Sequence, residues 1–532
     1  MSNTKQETIQ QSKIQASVFI ISKNEQHNIA RVLDSCKDFD EIILVDSGST
    51  DKTLEIAKQY PVTIIHNDWP GYAKQKAYAM SLCKHEWVLN LDADEELTPE
   101  LIAQFKKAIR DDNCDAIRCQ RNDIFINQPL SPLTKKPNNC RFYRKSAAHF
   151  DTSRLAHERA DITGKERFIK EAFNHYGYPS IESITYKNNL YSSFKADEKF
   201  AKGKSFSLLK IFLVFPLIFI KTHLLQRHIF SGRRGFILSI MTSYYLFIKE
   251  AKLYEHHKSL PIDLDTIPDR NRATKELPIS SYLVTLNEEK FLASALSSIQ
   301  AAEEIILVDS GSDDKTLDIA HQFNAKTLHH DWPGYAKQKQ FAMQQCSNSW
   351  VYSMDPDEVM THTLWSEISD FIEQDEFSSL RSLRNDYFLG KPLSKGVKLA
   401  HNNRLFKKEL GEYYFHELAH ENPKVKGKEK STKNYFYHLG YNNITELTDK
   451  LNNYSSLKAN ERSTAGKRSN LIKLSLVFPL MFLKNMLINR YFLMGTRGFI
   501  LSIIYSYYSF IKEAKLYEAM QNAQPPQHDA DH

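Results

Sequence analysis

The feature that most constrains this 532-residue chain is an internal repeat with one fixed offset. The run DWPGYAKQK, Asp68 to Lys76, recurs letter for letter from Asp331 to Lys339, and FIKEAKLYE occurs at 247–255 and again at 510–518. Both pairs are 263 residues apart, and the same offset carries Asp46 to Asp309, Asp92 to Asp355, His157 to His420 and Pro216 to Pro479. A register that holds from end to end means two whole modules of about 250 residues, not a solenoid of short units. A duplication preserves neutral residues too, so identity between the copies fixes the register and lets one copy check the other.

Composition excludes several classes. Hydrophobic residues are 42% and charged residues 25%, enough for a sizeable core, while a mean hydropathy of −0.48 argues against a polytopic membrane protein. A formal charge of +6 is too small a surplus to argue for nucleic acid. No two of the 17 glycines are spaced two or five apart, so neither GxGxxG nor a Walker loop is present; Gly203-Lys204-Ser205 is a decoy, with Glu at 198. The six cysteines form no CxxC and read as free thiols of a reducing compartment. The first residues contain no apolar stretch resembling a signal peptide.

Within one module, apolar runs at 17–22, 41–46, 62–66 and 86–91 read as strands. Helices are expected at about 25–36, from the turn Ser47-Gly48-Ser49-Thr50-Asp51 to about Tyr60, at about 72–83, and from Thr98-Pro99-Glu100 onward. Strands alternating with helices predict a parallel, open α/β sheet, with ligands beyond the carboxyl ends of its strands. Asp46 and Asp92/Asp94 end two such strands. Two carboxylates there can hold a hard divalent cation, with a diphosphate completing its shell; the competing readings are a solvated acidic turn and, for Asp46, a turn or capping carboxylate.

Taken together, ISKNEQHNI, EIILVDSGSTDKT, DWPGYAKQK and LNLDADEEL resemble the family 2 glycosyltransferases of the GT-A fold, most similarly those that add glucose to the lipopolysaccharide inner core. The resemblance covers roughly 15–160 and 278–423. It implies a UDP-sugar donor and Mg or Mn. It places Asp46 on the uracil, Asp92 near the ribose and sugar, Asp94 on the metal, and Asn24-Glu25 near the nucleotide; the second copy offers Asp309, Asp355, Asp357 and Asn287-Glu288. Transfer also needs a base for the acceptor hydroxyl. Where many family members carry a Glu-Asp pair, this sequence has Leu155-Ala156-His157-Glu158 and Leu418-Ala419-His420-Glu421. Glu158 and Glu421 are the expected bases, with Asp123 and Asp386 as competing bases or acceptor contacts. His416 to His420 spell a literal HExxH, but the first copy lacks the equivalent His and Glu and Pro423 follows closely, so a zinc protease is rejected. Lys74 and Lys76 could face phosphates, acidic lipid headgroups or solvent, and Arg141 and Arg404 an acceptor phosphate or a surface pair.

Each module ends in a basic, apolar stretch. IFLVFPLIFI at 211–220 lies between Lys210 and Lys221, and LSLVFPLMFL repeats it at 474–483. Ten residues of helix reach about 15 Å, half of a ~30 Å bilayer core, and Pro216 interrupts the run. The basic flanks suggest a monotopic seat on anionic lipid, or else a buried hairpin. The expected organisation is a tail (1–13), a GT-A nucleotide-diphospho-sugar transferase domain (14–180), a helical membrane-associating region (181–255), a linker too polar to hold a core (256–277), a second GT-A domain (278–443), a second helical region (444–519) and a tail (520–532). The expected role is a metal-dependent, inverting glycosyltransferase on the cytoplasmic face of the inner membrane, peripheral or monotopic. It would transfer glucose to a lipid-linked lipopolysaccharide core acceptor, in two successive additions that share a donor and differ in acceptor. Rival readings are a polyprenyl-phosphate glycosyltransferase and a non-catalytic carbohydrate- or lipid-binding scaffold.

Overall fold

β-Branched and aromatic runs bounded by turn residues form the strands of each module. The computed structural model describes residues 13–152, 159–273, 275–374, 376–414, 422–441 and 443–523. The first module opens with β1 (Ile14–Ser22), α1 (Ile29–Ser35), β2 (Phe39–Asp46), α2 (Thr53–Ala57), β3 (Thr63–His66), α3 (Tyr72–Ser81) and β4 (Trp87–Asp92). Every element expected in this half is present, with β1 and β2 starting two to three residues earlier than expected and the helices shorter. α1 begins late because Glu25 to Asn28 close a turn, Asn28 N–H donating to the Glu25 carbonyl at 2.9 Å. α2 stops early because the next residues tighten into i→i+3 bonds. After the two-residue β5 (Glu95–Glu96), α4 (Pro99–Asp111) starts as its sequence dictates, with Pro99 in the first turn and Thr98 Oγ1 accepting from Leu101 N–H at 3.3 Å.

β6 (Ala116–Phe125), the short β7 (Gln128–Pro129), β8 (Asn138–Arg144), a ribbon of β9 (Ala148–His149) with β10 (Asp161–Ile162), and β11 (Glu166–Tyr178) complete the module. The sheet order is β3-β2-β1-β4-β8-β6-β11-β5. β1 to β4 pair in parallel, but β8 pairs antiparallel with both β4 and β6. The wholly parallel sheet expected from the alternation is therefore corrected to a mixed one. No helix separates β6 from β8, and neighbours joined without a crossover pair antiparallel. Val18, Ile20, Leu44 and Leu89 bury one face against α1 and α4, while Phe19, Ile43 and Val88 bury the other against α3. In register, Ser22 lies opposite Asp46 and Ile21 opposite Asp92, so both acidic strand ends flank the end of β1.

The second module repeats this strand order from β12 (Leu277–Thr285) to β22 (Glu429–His438). Its helices are α8 (Leu292–Ser298), α9 (Thr316–Gln322), α10 (Tyr335–Gln344) and α11 (His362–Gln374). The helical regions are α5 (Ile181–Ala201), α6 (Leu208–Ile220) and α7 (Gly232–Lys258), then α12 (Ile444–Thr464), α13 (Leu471–Leu483) and α14 (Thr496–Asn522).

The chain divides into two compact units, Met1–Ser180 with Thr222–Leu238, and Ile181–Lys221 with Ser239–His532. Most of the first helical region thus belongs to the unit that holds the second module, where reciprocal contacts join the two copies' helices. Tyr244 stacks on Tyr507 at 3.6 Å and Phe215 on Phe478 at 4.6 Å. Glu255 accepts the first N–H of α12, at Ile444 (2.8 Å), and Glu518 accepts the first N–H of α5, at Ile181 (2.9 Å). Each copy's last helix thereby caps the other copy's first, where a carboxylate favours the helix dipole. Two other expectations change. Pro216 sits inside α6 without ending it, and a π turn continues the helix to an 18-residue apolar span, Leu208–Leu225, matched by Leu471–Ile488. The linker is not free of a core: Ile267 is buried beside Phe291, and Asn271 donates to the Ser298 carbonyl at 2.9 Å.

These paired helices set a pH dependence. Burial raises Glu255 and Glu518 to about 7, and burial lowers Lys252 and Lys515 to about 8. A raised carboxyl makes the native state bind more protons than the unfolded chain between pH 4.5 and 7, so stability falls there. A lowered lysine makes the unfolded chain bind more between pH 8 and 10.5, so stability recovers. Thermal melts of the full chain should show a minimum between pH 7 and 8, and the Glu255→Gln/Glu518→Gln double variant should flatten the acid side. Stability rising steadily from pH 5 to 8 would contradict this.

Candidate active site

Asp46 ends β2 almost fully buried. Its carboxylate accepts from the backbone N–H groups of Gly48 (3.0 Å) and Ser49 (2.8 Å) and from the hydroxyls of Ser22 (2.8 Å) and Ser49 (2.6 Å). Four donors fill the acceptor positions of a carboxylate. Asp309 is held in the same way by Gly311, Ser312 and Thr285. In this geometry both aspartates organise the turn that follows the strand. Asn24, at φ 57°, clamps the same turn: its N–H donates to Ser49 Oγ (2.8 Å) and its Oδ1 accepts from Thr50 N–H (2.8 Å). Asn287 does the same with Ser312 and Asp313. Glu25 N–H is tied to Thr53 Oγ1 at 2.7 Å, and Glu288 N–H to Thr316 Oγ1 at 2.8 Å. Burial, and then the Asp357 charge, lift the Glu288 carboxyl to about 7.

Asp92, at the end of β4, pairs with Lys76 Nζ at 2.7 Å and Arg141 Nη2 at 2.8 Å. Arg141 also grips Glu95, which is 1% exposed. Burial works against ionising Asp92, but the two cations outweigh it and its pKa lies well below the usual range. Burial lifts Glu95 to about 7. Lys339, Asp355, Arg404 and Glu358 repeat the cluster, with Asp355 at 2.7 Å from both cations. The pairs made by Arg141 and Arg404 are buried rather than on the surface, and Lys76 is no surface lysine: it is 2% exposed, one helical turn beyond Tyr72 on α3.

Asp94 faces His175 Nε2 at 3.7 Å, while His175 Nδ1 lies 2.9 Å from Asp123, which pairs with Arg121 Nε at 2.8 Å. In the second module Asp357 faces His438 at 3.5 Å, and His438 Nδ1 lies 2.8 Å from Asp386. Burial opposes ionisation of Asp123, yet the His175 hydrogen bond and the Arg121 charge lower its pKa. An ionised carboxylate only accepts, so His175 Nδ1 donates and Nε2 is left aimed at Asp94. Asp123 and Asp386 are thus placed to orient a histidine. Gly177 and Gly440 make the approach possible, since a Cβ at either would collide with the adjacent histidine and aspartate.

Two acceptors facing each other across 3.7 Å suit a cation between them, since neighbouring ligands of an octahedral ion at ~2.0–2.1 Å sit about 3 Å apart. Asp94 with His175, and Asp357 with His438, are the residues that would hold such an ion. Among the described residues, no group of three or more His, Cys, Asp or Glu is placed to hold a metal ion. Beside the first cluster lies a cavity of about 1000 Å³ lined by Lys76, Asp92, Arg118, Arg121, Arg141 and Arg159. Glu158, Glu421, His157, His420 and the HExxH run lie outside the described residues. Sequence reasoning missed His175, His438, Glu95 and Glu358 as site residues. The signal available was His-x-Gly-Tyr, which recurs at His175 and His438 at the repeat offset.

A family model described as Glycosyl transferase family 2 matches residues 17–175 and again 280–433. The chain belongs to glycosyl transferase family 2. It is a tandem family 2 enzyme with two GT-A domains, each followed by a helical region with a membrane-length apolar helix, and it handles a nucleotide-diphospho-sugar donor. An uncharacterized glycosyltransferase of Rickettsia felis is 35% identical over 252 residues, 45% of this chain and 89% of that protein. A lipopolysaccharide core biosynthesis glycosyltransferase, LpsC of Rhizobium meliloti, is 31% identical over 251 residues, 46% of this chain and 93% of that one. Among solved structures, S. aureus TarS 1-349 is 13% identical with a TM-score of 0.25, covering 47% of this chain and 94% of that chain. Glucosyl-3-phosphoglycerate synthase from Mycobacterium tuberculosis, solved with Mn2+, UDP and glucosyl-3-phosphoglycerate, is 18% identical with a TM-score of 0.26 and covers 37% of this chain and 83% of that one. In this family 2 enzyme the two roles weighed for Asp123 can be separated. As an orienting residue, Asp123→Asn should raise the metal concentration needed for half-maximal transfer by about 10–100-fold. A lower kcat at an unchanged metal requirement would restore it as the base.

Proposed function

We propose that each module is an inverting glucosyltransferase that moves glucose from UDP-glucose to a lipid-linked acceptor of the lipopolysaccharide inner core, at the cytoplasmic face of the inner membrane. The observation that carries this reading is the Asp94–His175–Asp123 cluster and its repeat at Asp357–His438–Asp386. Two complete clusters also disfavour a decayed, non-catalytic scaffold. The acceptor oxygen attacks the anomeric carbon as the bond from that carbon to the diphosphate breaks, and the hydroxyl proton passes to a carboxylate, Glu158 or Glu421. Mg or Mn held by Asp94 and His175, or by Asp357 and His438, would neutralise charge on the departing diphosphate. Asp92, kept ionised by Lys76 and Arg141, offers a fixed acceptor to the ribose or sugar hydroxyls. Asn24, Glu25 and the turn organised by Asp46 shape the nucleotide end.

A lipopolysaccharide core acceptor is supported by the function in the name of the Rhizobium meliloti relative. Different acceptors for the two modules are supported by the cavity lining. Lys76, Asp92 and Arg141 recur unchanged, but Asn138, Cys140, Arg159 and Asp161 become His401, Asn403, Asn422 and Lys424. A peripheral seat on the membrane is supported by the two apolar spans, each only 17% buried. The test is transfer by the purified chain from labelled UDP-glucose to core-truncated lipopolysaccharide. Transfer that stops with EDTA is expected, and no transfer to any truncated core would overturn the reading.

A further inference from the structure

The apolar spans are not two separate anchors. We infer that α6 and α13 form one two-helix platform that lies in the plane of a single leaflet of an anionic phospholipid bilayer, and that the platform exists only because the two copies' helices pair. This rests on the peripheral membrane seat proposed above and adds its architecture.

Both helices turn one narrow stripe inward, Ile211 and Phe215 on α6 and Leu474 and Phe478 on α13. The stripes meet where Phe215 stacks on Phe478, and Phe212 and Phe482 both pack against Phe499 of α14. The remaining faces carry large exposed side chains, among them Leu209 (68%) and Leu213 (41%) on one helix and Ile472 (73%) and Leu476 (47%) on the other. A soluble protein rarely leaves so much contiguous apolar surface uncovered.

Charge selects the occupant. From Lys204 to Arg234 there are six Lys or Arg and no carboxylate, and from Lys467 to Arg497 there are six and none, of which Lys473 pairs with Glu513. A second copy of this chain would bring like charge against like. Anionic headgroups are complementary, and each basic residue near such a surface adds to the attraction.

Orientation follows from what lies beneath. Each span is 18 residues, about 27 Å of helix and close to the ~30 Å of a bilayer core. Length therefore permits a crossing. Packing opposes it, because the helices beneath are tied to polar partners. Phe499 belongs to α14, whose Lys515 Nζ donates to the Asn452 carbonyl at 2.8 Å and whose Glu513 pairs with Arg462 at 2.9 Å. Pulling α6 or α13 through the bilayer would drag these buried polar groups into hydrocarbon or strip the helices from their own core. Lying flat keeps the inner stripe on protein and the outer face in acyl chains.

The test uses the full chain with nitroxide labels at Leu213→Cys and Leu476→Cys, both exposed positions that cost the core nothing. On vesicles of phosphatidylglycerol and phosphatidylcholine, both labels should become accessible to dissolved oxygen and shielded from aqueous nickel, to equal depth. Their separation should be the same as in solution, and phosphatidylcholine alone should bind at least ten-fold more weakly. Immersed labels with an altered separation, or at unequal depth, would overturn the joint platform and leave the membrane seat standing. Labels that stay in water on every vesicle, or that become shielded without lipid as the chain self-associates, would overturn the membrane seat and the platform with it.

Discussion

Asp94→Ala should end transfer by the first module and leave the second working, and Asp357→Ala should do the reverse. Each carboxylate faces a histidine across 3.5–3.7 Å. Without it the histidine alone cannot hold a hard cation. The fold should survive, because the Asp94 side chain is 24% exposed and contributes nothing to the core. Activity with each module's acceptor, metal titration and a thermal melt together check this. Full transfer with EDTA present would sink the metal assignment. In cells, two successive additions require that the two variants leave truncated cores of different length, read by mass spectrometry. Identical glycoforms, or no change from one variant, would count against sequential action.

The second large effect concerns the base. If Glu158 takes the acceptor proton, Glu158→Gln should bind UDP-glucose normally yet slow transfer by the first module about 10²–10⁴-fold. Glu421→Gln should do the same to the second. The amide keeps size and hydrogen bonding but cannot accept the proton, so the loss should fall on kcat, with KM for the donor unchanged. Asp123 and Asp386 cannot readily substitute, since each is engaged on both sides by a histidine and an arginine. A Gln variant with unchanged kcat would remove Glu158 from the chemistry. Direct displacement with one base also requires that the product linkage be inverted relative to the donor. An NMR coupling constant showing retained configuration would contradict it.

Local pattern determined a good deal by itself. The fixed offset gave two modules, and short apolar runs ending in Asp46 and Asp92 gave strands whose carboxyl ends meet at one edge, since strand length and burial are written in consecutive residues. Thr98-Pro99 gave a helix start, because capping depends only on neighbours. The acidic triplet could be read because its residues are close in sequence or end adjacent strands. What tertiary structure alone decided involves partners far apart in the chain. His175 reaches Asp94 from a strand some eighty residues later, and Arg141 closes on Asp92 across 49 residues; no periodicity links such positions. The saturation of Asp46 by four donors depends on how the turn folds back, not on which residues compose it. Pro216 read as a break, yet the helix passes through it and continues into a π turn. Above all, duplication implied two self-contained modules, whereas Tyr244 on Tyr507 and Phe215 on Phe478 join the copies' helices. An apolar stripe specifies that it must be covered, but not by which helix; that choice belongs to shape and to reciprocal caps such as Glu255 on Ile444, which exist only once both copies are folded.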